Sequence, residues 1–268
     1  MLRQKLIVSF VIVSLLLLSC ATVPVTGRQQ LTLVPTSSLN SLSFQQYSEF
    51  MKTHKLSNDV KATAMVKNAG NKIKDAVKRY LTQVGAAETL RGYEWEFNLV
   101  EDSLINAWCM PGGKVVVYTG ILPIAQNETG LAVVMGHEIA HAIANHGNER
   151  MTQGMLANMG SVALSEALKN KPEETKSLFQ TAFGIGVQLG ALLPYSRLHE
   201  SEADHMGLIF MAMAGYNPDE AANFWQRMAA LKQGGGPPEF LSTHPSDTKR
   251  INKIKELLPE ARQYYQNR

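Results

Sequence analysis

Between Asn127 and Gly147 the chain spells a helix that is apolar on most faces, yet it holds three ionisable side chains in five residues: His137, Glu138 and His141. Asn127 can cap this helix, Glu128 suits its first turn, and Gly147 offers a C-terminal stop. Leu131, Val133, Val134, Met135, Ile139 and Ile143 predict a buried helix at the centre of a fold. Ionisable groups placed there have to be paired or bound to something. A spacing of four sets both histidines on one face, one turn apart, within reach of a single cation. The alternatives are two core histidines satisfied by hydrogen bonds, or a chance match.

Zinc takes histidine nitrogen readily, and a catalytic zinc keeps one position for water. It draws the pKa of that water down to near neutral. Glu138 can then accept the proton as the water attacks a peptide carbonyl, and pass it to the leaving amine. A third ligand is needed, and His199-Glu200-Ser201-Glu202-Ala203-Asp204 lies on a second apolar helix. Glu200 and Asp204 share a face. Glu200 can complete a His-His-Glu set, and Asp204 can orient a ligand histidine from behind. The bland reading is a solvated acidic face with His199 and His205 exposed. Leu208, Ile209 and Phe210 on the same helix argue against it.

With 268 residues, 45% of them hydrophobic and 18% charged, the chain can bury a sizeable core. A formal charge of +3 and the lack of a basic stripe argue against nucleic acid as a partner. Arg3 and Lys5 precede an uncharged, mostly apolar run from Leu6 to Leu18, short of the roughly 20 residues of a spanning helix. The run ends in Leu17-Leu18-Ser19-Cys20, which resembles a bacterial lipobox. That resemblance implies a signal peptide over 1–19 and acylation of Cys20. Ala21 in place of Asp points to the periplasmic face of the outer membrane, with a lipid anchor holding the domain there. The chain has two cysteines. With Cys20 acylated, Cys109 has no partner and reads as a small buried hydrophobe.

Residues 20–35 read as an extended tether, and 36–268 as one domain. Helices are expected over 37–54 and 58–84, the second with Val60, Ala64, Ala69, Ile73, Val77, Tyr80 and Val84 on its apolar face. Trp95, Phe97 and Leu99 alternate with Glu94, Glu96 and Asn98, which predicts a half-buried strand over 93–100. Two further strands, 104–109 and 114–119, flank a Pro111-Gly112-Gly113 turn. More helices are expected over 197–214, after Asn217-Pro218-Asp219-Glu220, and after Ser246, with a loop at Gly234 to Pro238. The uncharged run 177–193 reads as an amphipathic or buried helix near the cleft, facing a membrane. His54 and His146 have no evident partner and read as structural or exposed.

Taken in order, these motifs resemble the zinc metalloprotease family that includes the HtpX heat-shock protease, the CAAX prenyl endopeptidases, and the periplasmic lipoprotein proteases BepA and LoiP. His137, Glu138 and His141 match its HExxH motif. Glu200, Ala203 and Asp204 match its E-x-x-A-D motif, which implies Glu200 rather than Glu202 as third ligand. Asn106-Ala107 resembles the lead into its substrate-side strand, Thr243-His244-Pro245 with Arg250-Ile251 its C-terminal motif, and Val25-Thr26-Gly27-Arg28 the start of its lipoprotein branch. The resemblance spans about residues 25–251. It implies a metalloendopeptidase with one zinc ion per chain, Asp204 and Arg250 behind the ligands, and polypeptide substrates such as unfolded or misassembled envelope proteins. His244 has three readings: it stabilises the oxyanion of the tetrahedral intermediate, it closes the zinc as a fourth ligand, or it is a plain loop histidine.

The expected fold is α+β, a mostly α zincin-like domain with a small β-sheet beside the HExxH helix. Substrate is expected to add as a strand to an edge formed by 114–119. Two other functions stay open: a latent or non-proteolytic chaperone or assembly factor with its zinc closed by His244, and a hydrolase of something other than peptides.

Overall fold

The computed structural model describes residues 20–171, 173–188, 192–231, 239–245 and 248–266. The leader read over 1–19, the loop at Gly234 to Pro238 and the Ser246 cap lie outside them.

The fold is α+β and mostly helical, as expected. Two short strands, β1 (Cys20–Thr22) and β2 (Gln29–Leu31), pair antiparallel with Cys20 opposite Leu31. The segment read as a tether is therefore folded back on itself. It is also docked, because Val23 in its turn is fully buried in the core. Helices α1 (Thr36–Thr53) and α2 (Val60–Gln83) follow. Asp59 caps α2 by accepting from the Ala62 amide. Ala69, Ile73, Val77 and Tyr80 bury the expected face, while Val60, Ala64 and Val84 towards its two ends are exposed.

The three-stranded sheet consists of β3 (Glu96–Val100), β4 (Ala107–Met110) and β5 (Lys114–Tyr118), in the order β3-β5-β4. β5 pairs parallel with β3, Glu96 opposite Lys114, and antiparallel with β4, Ala107 opposite Val117. Residues 114–118 are thus central, and the expectation that they form an open edge is overturned; β4 is an edge strand. The reason lies in burial. Every residue of β5 is buried, with Val115 and Val117 in the main core and Val116 and Tyr118 in a second cluster with Tyr47 of α1. A strand covered on both faces reads as a continuous apolar run, which is the mark of an interior position. The turn between β4 and β5 is as read: Gly112 and Gly113 have φ of 84° and 92°, a conformation that glycine adopts without cost.

The central helix α3 (Glu128–Ile143) carries the Asn127 cap, whose side chain accepts from the Gly130 amide. It ends earlier than expected. Asn145, not Gly147, breaks the chain with a left-handed φ of 60°, and α4 (His146–Leu168) starts immediately after it. Next come α5 (Glu173–Val187), α6 (Leu193–Met213), α7 (Glu220–Ala230), α8 (Glu239–Thr243) and α9 (Thr248–Gln266). No residue of α5 is buried, and Leu178 and Phe179 are exposed. Of the amphipathic or buried helix expected over 177–193, the part up to Val187 is not buried but belongs to a surface helix that packs on α4, and residues 189–191 lie outside the described ones. No helix among the described residues is long and apolar enough to cross a membrane.

α3 is buried from Gly130 to Ile143 and packs mainly on α6, with β4 alongside. The two helices meet at a pair of glycines. A Cβ on Gly207 would lie 2.9 Å from the His137 amide nitrogen, and one on Gly136 would lie 3.1 Å from the Gly207 carbonyl oxygen. Glycine at both positions lets the main chains touch, and this contact sits one residue from His137.

Candidate metal centre

His137 and His141 point from α3 into a space that Glu200 of α6 enters from the facing helix. Together with His244, which follows α8, each of these residues presents one atom, and the four atoms lie within 4.8 Å of one another. Nε2 of His137 and of His141 are 3.1 Å apart. Glu200 Oε2 is 3.4 Å from His137 Nε2, and Oε1 is 3.3 Å from His141 Nε2. His244 Nδ1 lies 3.0 Å from both Glu200 oxygens and 3.1 Å from His137 Nε2. Nitrogen and carboxylate oxygen converging at such distances suit a divalent ion of the zinc type.

Glu138 supplies an independent test of that fit. It is buried, its Oε1 accepts no hydrogen bond from any described residue, and that atom faces His244 Nε2 at 3.5 Å. An unsatisfied buried carboxylate oxygen costs free energy unless something in the site serves it. Burial raises the Glu138 pKa. A carboxylate so placed is suited to take up and release a proton. Burial likewise pushes up the Cys109 thiol, next to the Glu138 charge, so this half-buried cysteine is a poor nucleophile.

Behind the cluster, the two α3 histidines are held in different ways. His137 Nδ1 lies 3.0 Å from Asp204 Oδ1, to which it donates, so its Nε2 faces the site. Arg250 clamps Asp204 with bonds of 2.7 and 2.8 Å and reaches Glu200 at 3.2 Å. Its guanidinium lies flat on Trp225, 3.4 Å from the ring centroid. Arg250 also donates to the Pro245 carbonyl, beside His244. Burial opposes a charge on His137, but Asp204 and Glu200 outweigh it and raise its pKa to about 9. A cation arriving at Nε2 displaces that proton. Glu200 is held far below the usual carboxylate range: burial opposes this, but the three histidines outweigh it.

His141 Nδ1 meets not a carboxylate but His146 Nδ1, at 2.8 Å. His146 Nε2 lies 3.0 Å from Glu202 Oε2. Glu202 in turn accepts from Thr26, and twice from Arg28, whose bonds are 2.8 and 3.0 Å long. Arg28 also clamps Glu149 at 2.8 and 2.9 Å, and Glu149 accepts from His199 at 2.8 Å. Burial keeps His146 neutral, its pKa pushed down to about 4 despite Glu202. Burial would raise Glu149 and Glu202, but their histidine and arginine partners bring each down to about 2.

The structure thus brings together His137, Glu138, His141, Glu200, Asp204, His244 and Arg250, all anticipated. Of the two readings open for His146, structural or exposed, the structure takes the first, since it is fully buried in the network; His199 is buried too, against the bland reading of a solvated face. His54 is half-buried and stacks on Phe50, and His205 pairs with Glu260, both away from the cluster. Unanticipated are Glu149, Glu202, Arg28 and Thr26 as supports. The one signal in the sequence was a histidine five residues past His141, beyond an asparagine suited to a left-handed break.

Comparison with known proteins gives the family of this chain. Residues 67–258 match peptidase family M48. The chain is 41% identical over 188 residues to the mitochondrial metalloendopeptidase OMA1 of Schizosaccharomyces pombe, covering 69% of this chain and 53% of that one. It is 29% identical over 243 residues to the human mitochondrial metalloendopeptidase OMA1, covering 89% and 46%. It is 32% identical over 176 residues to a putative beta-barrel assembly-enhancing protease of Vibrio cholerae, covering 63% and 35%. The chain therefore spans about half the length of the OMA1 relatives. These relatives overturn the expected placement at the periplasmic face of a bacterial outer membrane, since the OMA1 proteins are mitochondrial by name. The lipid anchor inferred at Cys20 belonged to that placement, and nothing in the comparisons supports it. The match over 67–258, across both histidine-bearing and glutamate-bearing helices, establishes that the chain belongs to peptidase family M48.

Proposed function

We propose that this chain is a zinc-dependent metalloendopeptidase that hydrolyses peptide bonds in extended polypeptides. The observation that carries the proposal is the meeting of His137, His141 and Glu200 within one ion's reach, beside a buried Glu138 oxygen that accepts no hydrogen bond from the described residues. In this reading the three residues hold one zinc ion per chain. Zinc bound there lowers the pKa of water and polarises a substrate carbonyl. Glu138 takes the proton from the attacking water and delivers it to the leaving amine, a role its raised pKa favours. Asp204 and Arg250 fix the His137 ring. Substrate lies along β4, the edge strand beside α3, where main-chain hydrogen bonds give affinity with loose side-chain selectivity.

A second reading is favoured by His244. Its Nδ1 sits among the three candidate ligands, which describes a four-ligand, closed arrangement. In that state the enzyme is latent, and proteolysis requires the segment that carries His244 to withdraw.

The deciding experiment compares wild type with Glu138→Gln for bound zinc and for digestion of an unfolded protein such as casein. One zinc in each, with cleavage by wild type alone, supports the proposal. Cleavage by Glu138→Gln at the wild-type rate removes Glu138 as base, and lack of metal in both refutes the zinc centre. If His244→Ala cleaves faster than wild type, the latent reading holds; a loss of cleavage with zinc retained assigns His244 to the oxyanion instead.

A further inference from the structure

The chain Thr26/Arg28, Glu202, His146, His141 runs from the N-terminal hairpin to the candidate metal centre through hydrogen bonds of ordinary length or shorter. With one proton on each imidazole, the links run in one direction only. Glu202 is an ion-paired carboxylate and can only accept, so His146 donates through Nε2–H. Neutral His146 is then left with a bare Nδ1, which accepts from Nδ1–H of His141. His141 in turn is left with a bare Nε2, the atom that lies 3.3 Å from Glu200 and 3.1 Å from His137 Nε2. The relay therefore selects the one tautomer of His141 that can bind a cation on the cluster side.

The geometry points to His146 and Glu202 as positioning residues for His141, with the N-terminal hairpin, through Thr26 and Arg28, as the part of the fold that holds them. This inference rests on the reading of His137, His141 and Glu200 as metal ligands. Three further observations support it. His146 has no room to turn away: it is fully buried and stacked on His199, with ring centroids 4.2 Å apart. Arg28 spans two carboxylates from different helices, Glu149 of α4 and Glu202 of α6, so one side chain of the hairpin ties the relay to both. The hairpin is otherwise fastened mainly by buried Val23 and by three bonds linking the main chain at Leu33 and Val34 to Thr152 and Asn148. An element more than 100 residues upstream of the histidines thereby sets how well they hold an ion.

The test is zinc affinity of the full chain, measured by competition with a chromophoric chelator, with circular dichroism of each metal-free variant as the control for folding. His146→Leu is expected to weaken zinc roughly 10- to 100-fold, the range seen when an outer partner of a metal-binding histidine is lost. His146→Gln is expected to restore most of that loss, because an amide can accept from His141 and donate to Glu202 together. Arg28→Ala is expected to weaken zinc by a smaller factor and Arg28→Lys by less still, with helical content unchanged. The inference fails if folded His146→Leu binds zinc as tightly as wild type, or if His146→Gln is as weak as His146→Leu. Should His146→Leu not fold, Arg28→Ala decides alone: wild-type affinity overturns the link to the hairpin. Wild type that binds no zinc would instead refute the ligand assignment beneath it.

Discussion

The two histidines of α3 sit one turn apart and face the same space, yet they are supported by unlike means. His137 rests directly on Asp204, and one arginine, Arg250, holds Asp204 from the C-terminal helix with only 7% of its side chain exposed. His141 rests on a second histidine, which rests on Glu202, which rests on Arg28 of a two-stranded hairpin, 17% exposed. The first support is short, buried and packed against Trp225. The second is longer, passes through more groups and ends nearer the surface. A support with more links has more places to fail, and one that ends on a short hairpin shares that hairpin's stability.

The comparison can be broken by removing its arginines. Arg250→Ala takes a buried arginine from Asp204 and Glu200 and leaves them only their histidine partners, and the loss expected in urea unfolding is about 3–5 kcal/mol. Arg28→Ala removes an arginine that is itself more exposed and leaves Glu149 and Glu202 with their histidine partners, so the loss expected is about 2 kcal/mol. Equal losses would mean that the two supports do not differ as described. Gly207→Ala acts on both supports together by pushing α3 from α6 at His137, and about 1–3 kcal/mol is expected, with zinc weakened as well. If zinc affinity is unchanged while stability falls, the glycine contact does not set the ligand geometry.

Acid tests the longer support, with Arg28→Ala as its control. Glu149 and Glu202 titrate at about 2 in the folded protein against an ordinary 4.5. The unfolded chain binds protons first, so their contribution is complete above pH 4.5 and is lost as pH falls from 4.5 towards 2. The melting temperature of wild type is expected to fall across that window. Arg28→Ala, whose carboxylates return towards ordinary values, is expected to fall less steeply, and parallel curves would refute the ion pairs. The smallest effect expected is that of Asn127→Ala, about 1 kcal/mol from a lost cap, with no change in zinc affinity.

What could be read in the sequence followed from periodicity. Four-residue spacing put His137 beside His141, and Glu200 beside Asp204, because a helix enforces it. β3 announced itself by alternation. What could not be read depended on contacts between segments far apart. β5 is central because a parallel partner, β3, lies on its far side, and nothing in Lys114-Val-Val-Val-Tyr118 names that partner. His146 lies outside the spacing rule, because Asn145 ends the helix and turns the chain so that residue 146 meets residue 141 by a new geometry. Arg28 looks like a charge in a polar tether until Glu149 and Glu202 are brought to it. The outer-membrane placement was an inference from a short leader pattern, and it failed on the identity of the relatives rather than on any feature of the fold.

The contact of Gly136 with Gly207 has a consequence for how such a chain can diverge. Because the two helices register on main-chain atoms, the distance between the histidine pair and Glu200 does not depend on the volume of any core side chain at that point. Neighbours such as Met135, Leu208 and Met211 can exchange for other apolar residues, and the ruler between the two metal-facing motifs keeps its length. Substitution is then tolerated across the core and refused at two positions that carry no side chain at all.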